Sequence, residues 1–288
     1  DMGDHYLLNG AKMWISNAPF ADIAIVWAKN EEGRIHGLIV ERGMEGFSTP
    51  ETHNKWSLRA SATGELIFDN VKVPKENLLG EEGKGFYYMM ESLQTERLTV
   101  SQLSIGAMQY AYGLSLQYMS ERQAFGKTID KFQVLRHKIA DIATEIEAWK
   151  QFMYVTSYRF TKGDFVVKEC SMLKLKTSDL LNDVVYDCLQ MFGGYGFMEE
   201  YKIARMFRDS RVGTIGGGTS EIMREIIAKM VIDEVSYDNK PSKVTKKVHT
   251  NSKTTLPEKN NLDLSILLTT IQHKAAKAKV LGKTLSID

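Results

Sequence analysis

Residues 83–108 read GKGFYYMMESLQTERLTVSQLSIGAM, and they begin a long segment, Gly83–Ser120, in which apolar residues recur at helical spacing. Such intervals place the apolar side chains on one side of a helix, so the segment predicts one long helix with one buried face. We expect this helix to form the centre of a helical domain. The apolar positions are Phe86, Met90, Leu93, Val100, Leu103 and Ala107.

Glu96 lies within this predicted apolar face, three residues after Leu93 and four before Val100. A charged carboxylate is costly to bury unless a partner or a reaction uses it. Arg97 is adjacent in sequence, but side chains at i and i+1 do not face each other on a helix. Glu96 is therefore either a boundary residue whose carboxylate reaches water or a functional carboxylate, and the helix alone leaves both open.

The bulk composition is that of a globular protein with room for two ordinary domains. The chain has 288 residues, of which 43% are hydrophobic and 25% are charged. It contains no apolar run long enough to span a bilayer, and its first residues do not resemble a signal peptide. Cys170 and Cys188 lie in helical patterns without metal-ligand spacing, so we expect buried thiols in a reducing compartment and no metal site.

Short β segments separated by turn residues occupy the chain from Asp4 to about Asp69. Asn9-Gly10 predicts a tight hairpin turn between the first two segments. Because no helical pattern separates the segments, they favour an antiparallel sheet or barrel. The expected strands are Tyr6–Leu8, Lys12–Ser16, Ala21–Ala28, Gly37–Val40 and Glu65–Phe68.

The pattern changes to helical periodicity after Pro74. The predicted helices are Gly83–Ser120, Phe132–Thr161, Phe165–Met191, Glu199–Phe207 and Ser220–Val235. Short connections between long helices favour antiparallel neighbours. The predicted fold class is therefore α+β and multidomain, with an antiparallel β domain in residues 1–75 followed by an up-down four-helix bundle in residues 76–237.

Residues 238–288 form a basic tail, and within it residues 239–288 contain ten lysines and three acidic residues. The first half is polar and nearly free of aromatic residues, as a flexible linker would be. The second half contains a possible amphipathic helix, Leu262–Leu285. A solvated appendage and a contact with an acidic partner or an anionic membrane surface are both compatible with this pattern.

Two segments combine aromatic side chains with polar or charged ones. Lys12–Asn17 reads KMWISN, in which a Trp beside a serine hydroxyl can stack on a flat ring and hydrogen-bond to it, or simply fill a core. Arg122–Lys127 reads RQAFGK, with Gln133 shortly after it. Its Arg can bind phosphate oxygens beside the apolar face of its Phe, unless the segment is only a solvated corner between helices.

Two glycine-rich segments border predicted helices. Gln190–Gly196 reads QMFGGYG, where the glycines either end a helix or let a ligand approach the backbone. Gly216–Glu221 reads GGGTSE and precedes a helix. Free N–H groups at a helix start favour an anion or a polarised carbonyl, although a Thr or Ser N-cap explains the same residues structurally.

The order and spacing of these motifs resemble those of the acyl-CoA dehydrogenase flavoprotein family. The matching segments are KMWISN, RASATGELIFDNVKVPKENLLGEEGKGF, ERQAFGK, QMFGGYGF and RVGTIGGGTSEI. The resemblance runs from about Gly3 to Val235 and leaves out the tail. It implies a protein with an N-terminal helical domain, a middle β domain and a four-helix bundle, assembled as a homotetramer. We expect this chain to lack the first domain and the opening strand of the second.

The resemblance also implies FAD as the cofactor, bound by residues from four segments. Two groups are implied to contact the flavin ring and the FAD of a neighbouring subunit: Trp14, Ile15 and Ser16 for the ring, and Arg122, Phe125 and Gln133 for the neighbouring FAD. Two further groups are implied at the adenosine end and after the catalytic loop: Gln190, Gly193 and Gly194 for the adenosine, and Thr219, Ser220 and Glu221 after the loop.

The position of the catalytic base is the most specific implication of the resemblance. Many family members carry it as the Glu of a Tyr-Glu-Gly-Thr loop, where this chain has Gly216-Gly217-Gly218-Thr219. The long-chain and isovaleryl subgroups carry it on the long helix, directly before an Arg, and Glu96-Arg97 matches that arrangement. Glu96 is thus implied to take the α-proton of an acyl-CoA thioester while flavin N5 takes the β-hydride, giving the trans-2-enoyl-CoA. The implied substrate-binding residues are Gln94, Thr95, Arg97, Gly216 and Gly217.

The resemblance further implies an electron-transferring flavoprotein as acceptor and a homo-oligomer that shares its FAD site. It implies a role in fatty-acid β-oxidation, in a bacterial cytoplasm or a mitochondrial matrix. Two alternatives stay open: a flavin enzyme of the same fold, such as an acyl-CoA oxidase or a flavin monooxygenase, and a non-catalytic interaction module. Nucleic-acid binding is not expected, because the chain before the tail is net acidic and its basic residues form no stripe.

Overall fold

The computed structural model describes residues 1–237. The basic tail, residues 238–288, and the helix predicted at Leu262–Leu285 lie outside the described residues. Among the helices of residues 1–237, none combines the length and the hydrophobicity that crossing a bilayer requires.

The β region consists of antiparallel strands in two small sheets. One sheet has the strand order β1-β5-β4, and the other is the β2-β3 pair. Apolar side chains such as Leu8, Val26, Val40, Phe68 and Val71 are buried together and form the core of this region. The strands are β1 (His5–Ser16), β2 (Ile23–Lys29), β3 (Ile35–Glu41), β4 (Phe47–Ser48) and β5 (Thr63–Pro74).

The predicted hairpin turn at Asn9-Gly10 is wrong, because β1 continues through it. Both halves of β1 pair with β5, and the register shifts between Leu8 and Gly10 as in a β-bulge. The Asn9 side chain does not close a turn but accepts a hydrogen bond from the backbone N–H of Asn70 at 2.7 Å. A bulge glycine with φ of +130° therefore replaces the turn that the Asn-Gly pair predicts.

The second half of the chain is helical, and α3 is its central helix because the other helices pack against it. A short ribbon, β6 (Gln123–Ala124) and β7 (Lys127–Thr128), connects the first two helices. This arrangement confirms the predicted fold class, an antiparallel β region followed by a helical bundle. The helices are α1 (Gly85–Glu121), α2 (Gln133–Thr161), α3 (Val167–Phe192), α4 (Lys202–Ser210) and α5 (Ser220–Val231).

The buried face of α1 differs from the predicted one. Leu103 is 68% exposed, and Glu96 is exposed as well, whereas Ile105 and Met108 are buried. The expectation that Glu96 lies on a buried apolar face is therefore wrong. The buried face also contains small polar residues, namely Ser101, Ser104 and Ser115.

These buried serines explain the difference, because each hydroxyl is satisfied within the helix itself. Ser101 Oγ donates to the carbonyl of Arg97 at 2.7 Å, and Ser104 Oγ donates to the carbonyl of Val100 at 2.9 Å. A hydroxyl bonded in this way is buried at little cost and leaves room for a neighbouring helix. The face of α1 that packs on α3 is therefore partly polar in sequence.

The two cysteines are buried and unpaired, as predicted. Burial raises the pKa of the Cys170 thiol to about 12 and that of the Cys188 thiol to about 11. Both thiols are consequently protonated and unreactive near neutral pH.

Candidate functional site

Glu96 on α1 faces the glycine turn, residues 216–218, that precedes α5. Glu96 Oε1 lies 3.0 Å from the position that a Cβ on Gly217 would occupy. Gly217 has φ of +65° and Gly218 has φ of +95°, conformations that side-chain-bearing residues rarely adopt. The turn thus leaves space for the carboxylate and presents backbone rather than side chains to it.

The residues after the turn form the N-terminus of α5. Thr219 is the N-cap, and its Oγ1 accepts a hydrogen bond from the backbone N–H of Ile222 at 3.3 Å. Ser220 Oγ donates to Asp179 Oδ1 on α3 at 2.9 Å. A hydrogen bond from a backbone N–H and one from the Thr219 hydroxyl lower the pKa of the Glu221 carboxyl. Thr219, Ser220 and Glu221 together border a cavity of about 490 Å³.

A second and larger cavity, of about 760 Å³, lies between the β6–β7 corner and the end of α3. It is hereafter called the corner cleft. Five predicted cofactor-binding residues line it, together with the aromatic residues Tyr118 and Tyr195. The structure therefore brings together two motifs that lie far apart in sequence. The five predicted residues are Arg122, Phe125, Gln190, Gly193 and Gly194.

Arg122 and Phe125 are presented differently within the corner cleft. The Arg122 guanidinium lies 5.5 Å from the centre of the Tyr195 ring, close enough for a cation–π contact. Phe125 is 95% exposed and has φ of +51°, so a large apolar ring is held out into solvent on a strained backbone. This combination is typical of a residue that packs against a ligand or another chain.

The other predicted cofactor-binding residues line neither the corner cleft nor the cavity beside α5. Trp14 is 66% exposed with φ of +64°, at an irregularity in β1, while Ile15 packs against the β core and Ser16 is exposed. Gln133 is the first residue of α2 and is exposed. The grouping of these four residues with the others stays a prediction.

The predicted substrate-binding residues of α1 point in opposite directions. Thr95 and Glu96 are exposed, whereas Gln94 and Arg97 are buried, with 6% and 4% exposure. Gln94 Oε1 accepts a hydrogen bond from the backbone N–H of Val166 at 3.2 Å. Because successive helical residues are rotated by roughly 100°, these four cannot all face one ligand from the same side of α1.

The sequence reasoning missed Lys174 on α3. This lysine has no exposed surface, and its Nζ donates a hydrogen bond to the carbonyl oxygen of Gly218 in the glycine turn. A signal was present, since Lys174 occupies helical spacing with the buried residues Cys170 and Leu181. Lys174 is therefore, like Glu96, a charged residue within an apolar helical pattern of the sequence.

The sequence matches two family models, which together cover most of the described chain. Residues 1–71 match the acyl-CoA dehydrogenase middle domain. Residues 83–232 match the acyl-CoA dehydrogenase C-terminal domain.

Curated relatives and a solved structure show the same similarity. The chain is 41% identical over 236 residues to the caffeyl-CoA reductase-Etf complex subunit CarC of Acetobacterium woodii, covering 81% of this chain and 62% of that protein. It is 40% identical over 238 residues to the mitochondrial long-chain specific acyl-CoA dehydrogenase of Sus scrofa, covering 81% of this chain and 55% of that protein. The chain thus spans little more than half the length of these relatives.

The crystal structure of an acyl-CoA dehydrogenase from Geobacillus kaustophilus has a similar fold. It superposes with a TM-score of 0.77 at 40% sequence identity, covering 81% of this chain and 63% of that one.

Proposed function

This chain belongs to the acyl-CoA dehydrogenase family, and we propose that it oxidises an acyl-CoA thioester to the trans-2-enoyl-CoA with Glu96 as the base. The observation that supports this assignment is the approach of Glu96 Oε1 to 3.0 Å from the Cβ position at Gly217. The carboxylate from α1 occupies the space beside the turn, and no carboxylate is present within the turn itself.

The α-proton of a thioester is weakly acidic, so its removal needs a base within reach and stabilisation of the developing enolate. Glu96 supplies the base, because its exposed carboxylate is free of an ion pair or side-chain hydrogen bond among residues 1–237. In this step the Glu96 carboxylate forms a new O–H bond as the Cα–H bond breaks, and the electron pair moves toward the carbonyl oxygen. Glu96 therefore ends the step as a neutral acid.

The glycine turn and the start of α5 supply the stabilisation. Backbone N–H groups that precede a helix, together with the helix dipole, favour negative charge on an oxygen placed there. The Gly216 N–H donates to the Val212 carbonyl at 2.8 Å, and glycines at positions 217 and 218 keep side chains from covering the N–H groups that follow it. Arg97 is buried behind Glu96 and keeps its proton, so we assign it to the structure of the site and not to proton transfer.

FAD is the cofactor that we propose, and the corner cleft fits its adenosine end. The cleft combines a guanidinium for phosphate oxygens, an exposed ring for stacking, and glycines that allow close approach of a ligand to the backbone. Arg122, Phe125, Gln190, Gly193 and Gly194 would hold it there. Thr219, Ser220 and Glu221 would contact it at the start of α5, and Trp14, Ile15, Ser16 and Gln133 complete the proposed set. When bound, FAD supplies the two-electron oxidation that turns the Cα–Cβ bond into a double bond.

The proposed substrate class is a long-chain or isovaleryl-type acyl-CoA, because Glu96 is on the long helix and Gly216 and Gly217 leave room beside it. We also propose an electron-transferring flavoprotein as acceptor, supported by the similarity to CarC, whose name places it in an Etf complex. A homo-oligomer is proposed because Phe125 is exposed at the mouth of the corner cleft. A bacterial cytoplasm or a mitochondrial matrix is the proposed location.

Reduction of an enoyl-CoA is a second candidate, because the chain is 41% identical to a subunit of a caffeyl-CoA reductase complex. The same residues serve both directions: protonated Glu96 would then return a proton to Cα. The two directions are distinguished by supplying either a saturated thioester with an oxidant or an enoyl thioester with a reductant.

The test is a panel of saturated acyl thioesters assayed with an artificial electron acceptor, using the full-length protein loaded with FAD. We expect turnover of one or more thioesters by the wild type, loss of turnover in Glu96→Gln, and unchanged FAD content in that variant. Retention of most of the activity by Glu96→Gln would refute Glu96 as the base. Oxygen consumption without need for the acceptor would instead indicate an oxidase.

A further inference from the structure

Lys174 connects α3 to the glycine turn from the side opposite to solvent. It is one of the largest fully buried side chains among residues 1–237, and its Nζ hydrogen-bonds to the carbonyl oxygen of Gly218. The Met223 side chain packs against the same glycine, since a Cβ on Gly218 would lie 2.8 Å from Met223 Cε. Gly218 is therefore held between a buried cation and a buried apolar side chain.

Burying Lys174 at this position is unfavourable by itself. Desolvation lowers the pKa of the Lys174 ammonium, and the nearby Arg97 guanidinium, also buried, lowers it further. The carboxylates of Asp179, Glu96 and Glu221 act in the opposite direction. A methionine or leucine would fill the same volume without this cost, so the stability of the core does not account for a lysine here.

The hydrogen bond to Gly218 does account for it, because it holds one end of the glycine turn, while the Gly216 N–H holds the other end by donating to the Val212 carbonyl at 2.8 Å. Glycines at positions 216–218 have no side chains to anchor them, and two of them have positive φ. Freely rotating glycines lose much conformational entropy when they are fixed in one conformation. A donor fixed inside the bundle can hold the backbone at the point where it faces Glu96.

We propose that Lys174 is a positioning residue, which by binding the Gly218 carbonyl fixes the glycine turn opposite Glu96 and so orients the backbone N–H groups that meet the substrate carbonyl. This inference rests on the proposed function for its effect on the reaction. The fixing of the turn by Lys174 does not depend on the proposed function.

The experiment compares Lys174→Met with Lys176→Met in the full-length protein loaded with FAD. Met keeps the unbranched shape and most of the length of the lysine side chain and removes the donor, while Lys176 is exposed on the same helix and serves as the matched control. Amide hydrogen exchange of residues 214–222 reports on the turn, and kcat and KM with the preferred thioester report on the reaction.

We expect the amide hydrogens of the turn to exchange faster in Lys174→Met than in the wild type. We also expect kcat to fall by about tenfold or more, since a small misplacement of groups that position the substrate costs that much. KM, FAD content and the exchange of α2 are expected to stay unchanged, and Lys176→Met is expected to match the wild type. Lys174→Arg, which retains a donor, is expected to recover part of the protection of the turn. Wild-type exchange in a folded Lys174→Met protein would overturn the proposal.

The two proposals fail in different ways. If the wild type oxidises no thioester, the proposed function fails, and the exchange measurement still decides whether Lys174 fixes the turn. If Lys174→Met does not fold, Lys174→Arg decides: partial protection of the turn in this variant supports the hydrogen bond. The hydrogen bond is refuted if Lys174→Arg keeps the wild-type melting temperature but the amides of its glycine turn exchange as fast as in an unfolded peptide.

Discussion

Glu96 on α1 lies so close to Gly217, in the turn before α5, that a side chain at position 217 would push against the Glu96 carboxylate. Glu96 Oε1 is 3.0 Å from the Cβ position of Gly217, nearer than most real Cβ contacts. One carboxylate can therefore reach this space from either element, but two cannot share it without repulsion.

This relationship predicts that the proposed base can be moved from the helix to the turn. We expect Glu96→Gln to lower kcat by roughly 10²–10⁴-fold, the usual value of a positioned base. The double variant Glu96→Gly with Gly217→Glu should recover part of that loss, because it restores a carboxylate to the same space. Recovery will be partial, since a residue with a side chain at φ of +65° is strained.

The effect of moving the carboxylate from position 96 to position 217 is measured as the steady-state turnover of short and long acyl thioesters. Glu91→Gln is the control, because Glu91 is exposed on the same helix and five residues away from the proposed base. A double variant no more active than Glu96→Gly alone would show that the turn cannot present a base.

A second prediction concerns the buried face of α1. Ile105→Ala should lower the free energy of unfolding by about 2–5 kcal/mol, since Ile105 is 2% exposed and lies in the bundle core. Leu103→Ala, at a position that is 68% exposed, should change it by no more than about 0.5 kcal/mol. Urea unfolding of the two variants decides between this face and the one that the apolar spacing predicts. Equal losses would contradict the packing of α1 described above.

A third prediction concerns the corner cleft. Phe125→Ala should weaken FAD binding by about tenfold, equivalent to about 1.4 kcal/mol, because it removes the exposed ring at the mouth of the cleft. Stability should change little, since Phe125 buries almost none of its own surface. Fluorescence titration of the apoprotein with FAD measures the effect. Tyr154→Ala removes an exposed ring from α2 and should leave FAD affinity unchanged.

The buried thiols predict how stability depends on alkaline pH. The pKa of Cys170 is raised from 9.0 to about 12, and that of Cys188 is raised from 9.0 to about 11, in both cases mainly by burial. A raised pKa of an acid favours the protonated form in the folded state. Its contribution to stability is therefore complete below pH 9 and is lost as the pH rises through about 11 to 12.

The measurement is the urea midpoint as a function of pH, accompanied by thiol labelling. At pH 8 neither thiol should react with a disulfide reagent in the folded protein, and both should react in urea. The variant with both cysteines replaced by Ala is the control, and its stability should fall less steeply above pH 9. Rapid labelling of either thiol in the folded state would contradict their burial.

Local patterns in the sequence were enough to predict the helices and the regions of the longer strands, but not the short strands β4, β6 and β7 or the continuity of β1. The periodicity that begins at Gly83 predicted α1, and similar patterns predicted the other helices to within a few residues, because each amphipathic repeat has its own period and its own end signals. The glycine turn and the motif around Arg122 were likewise visible as residue types with a chemical purpose.

Tertiary structure decided which faces and which partners these elements have. Asn9-Gly10 became a bulge because β5 pairs with both halves of β1, and Leu103 faces outward because the buried face of α1 includes serines such as Ser101 and Ser104 instead. Lys174 acquired its partner only when α3 packed beside the turn before α5. A hydrophobic periodicity depends on residues that are near one another in the chain, whereas burial depends on segments that come together from distant parts of it. The sequence by itself therefore determined the main helices and strands, and tertiary packing determined the site.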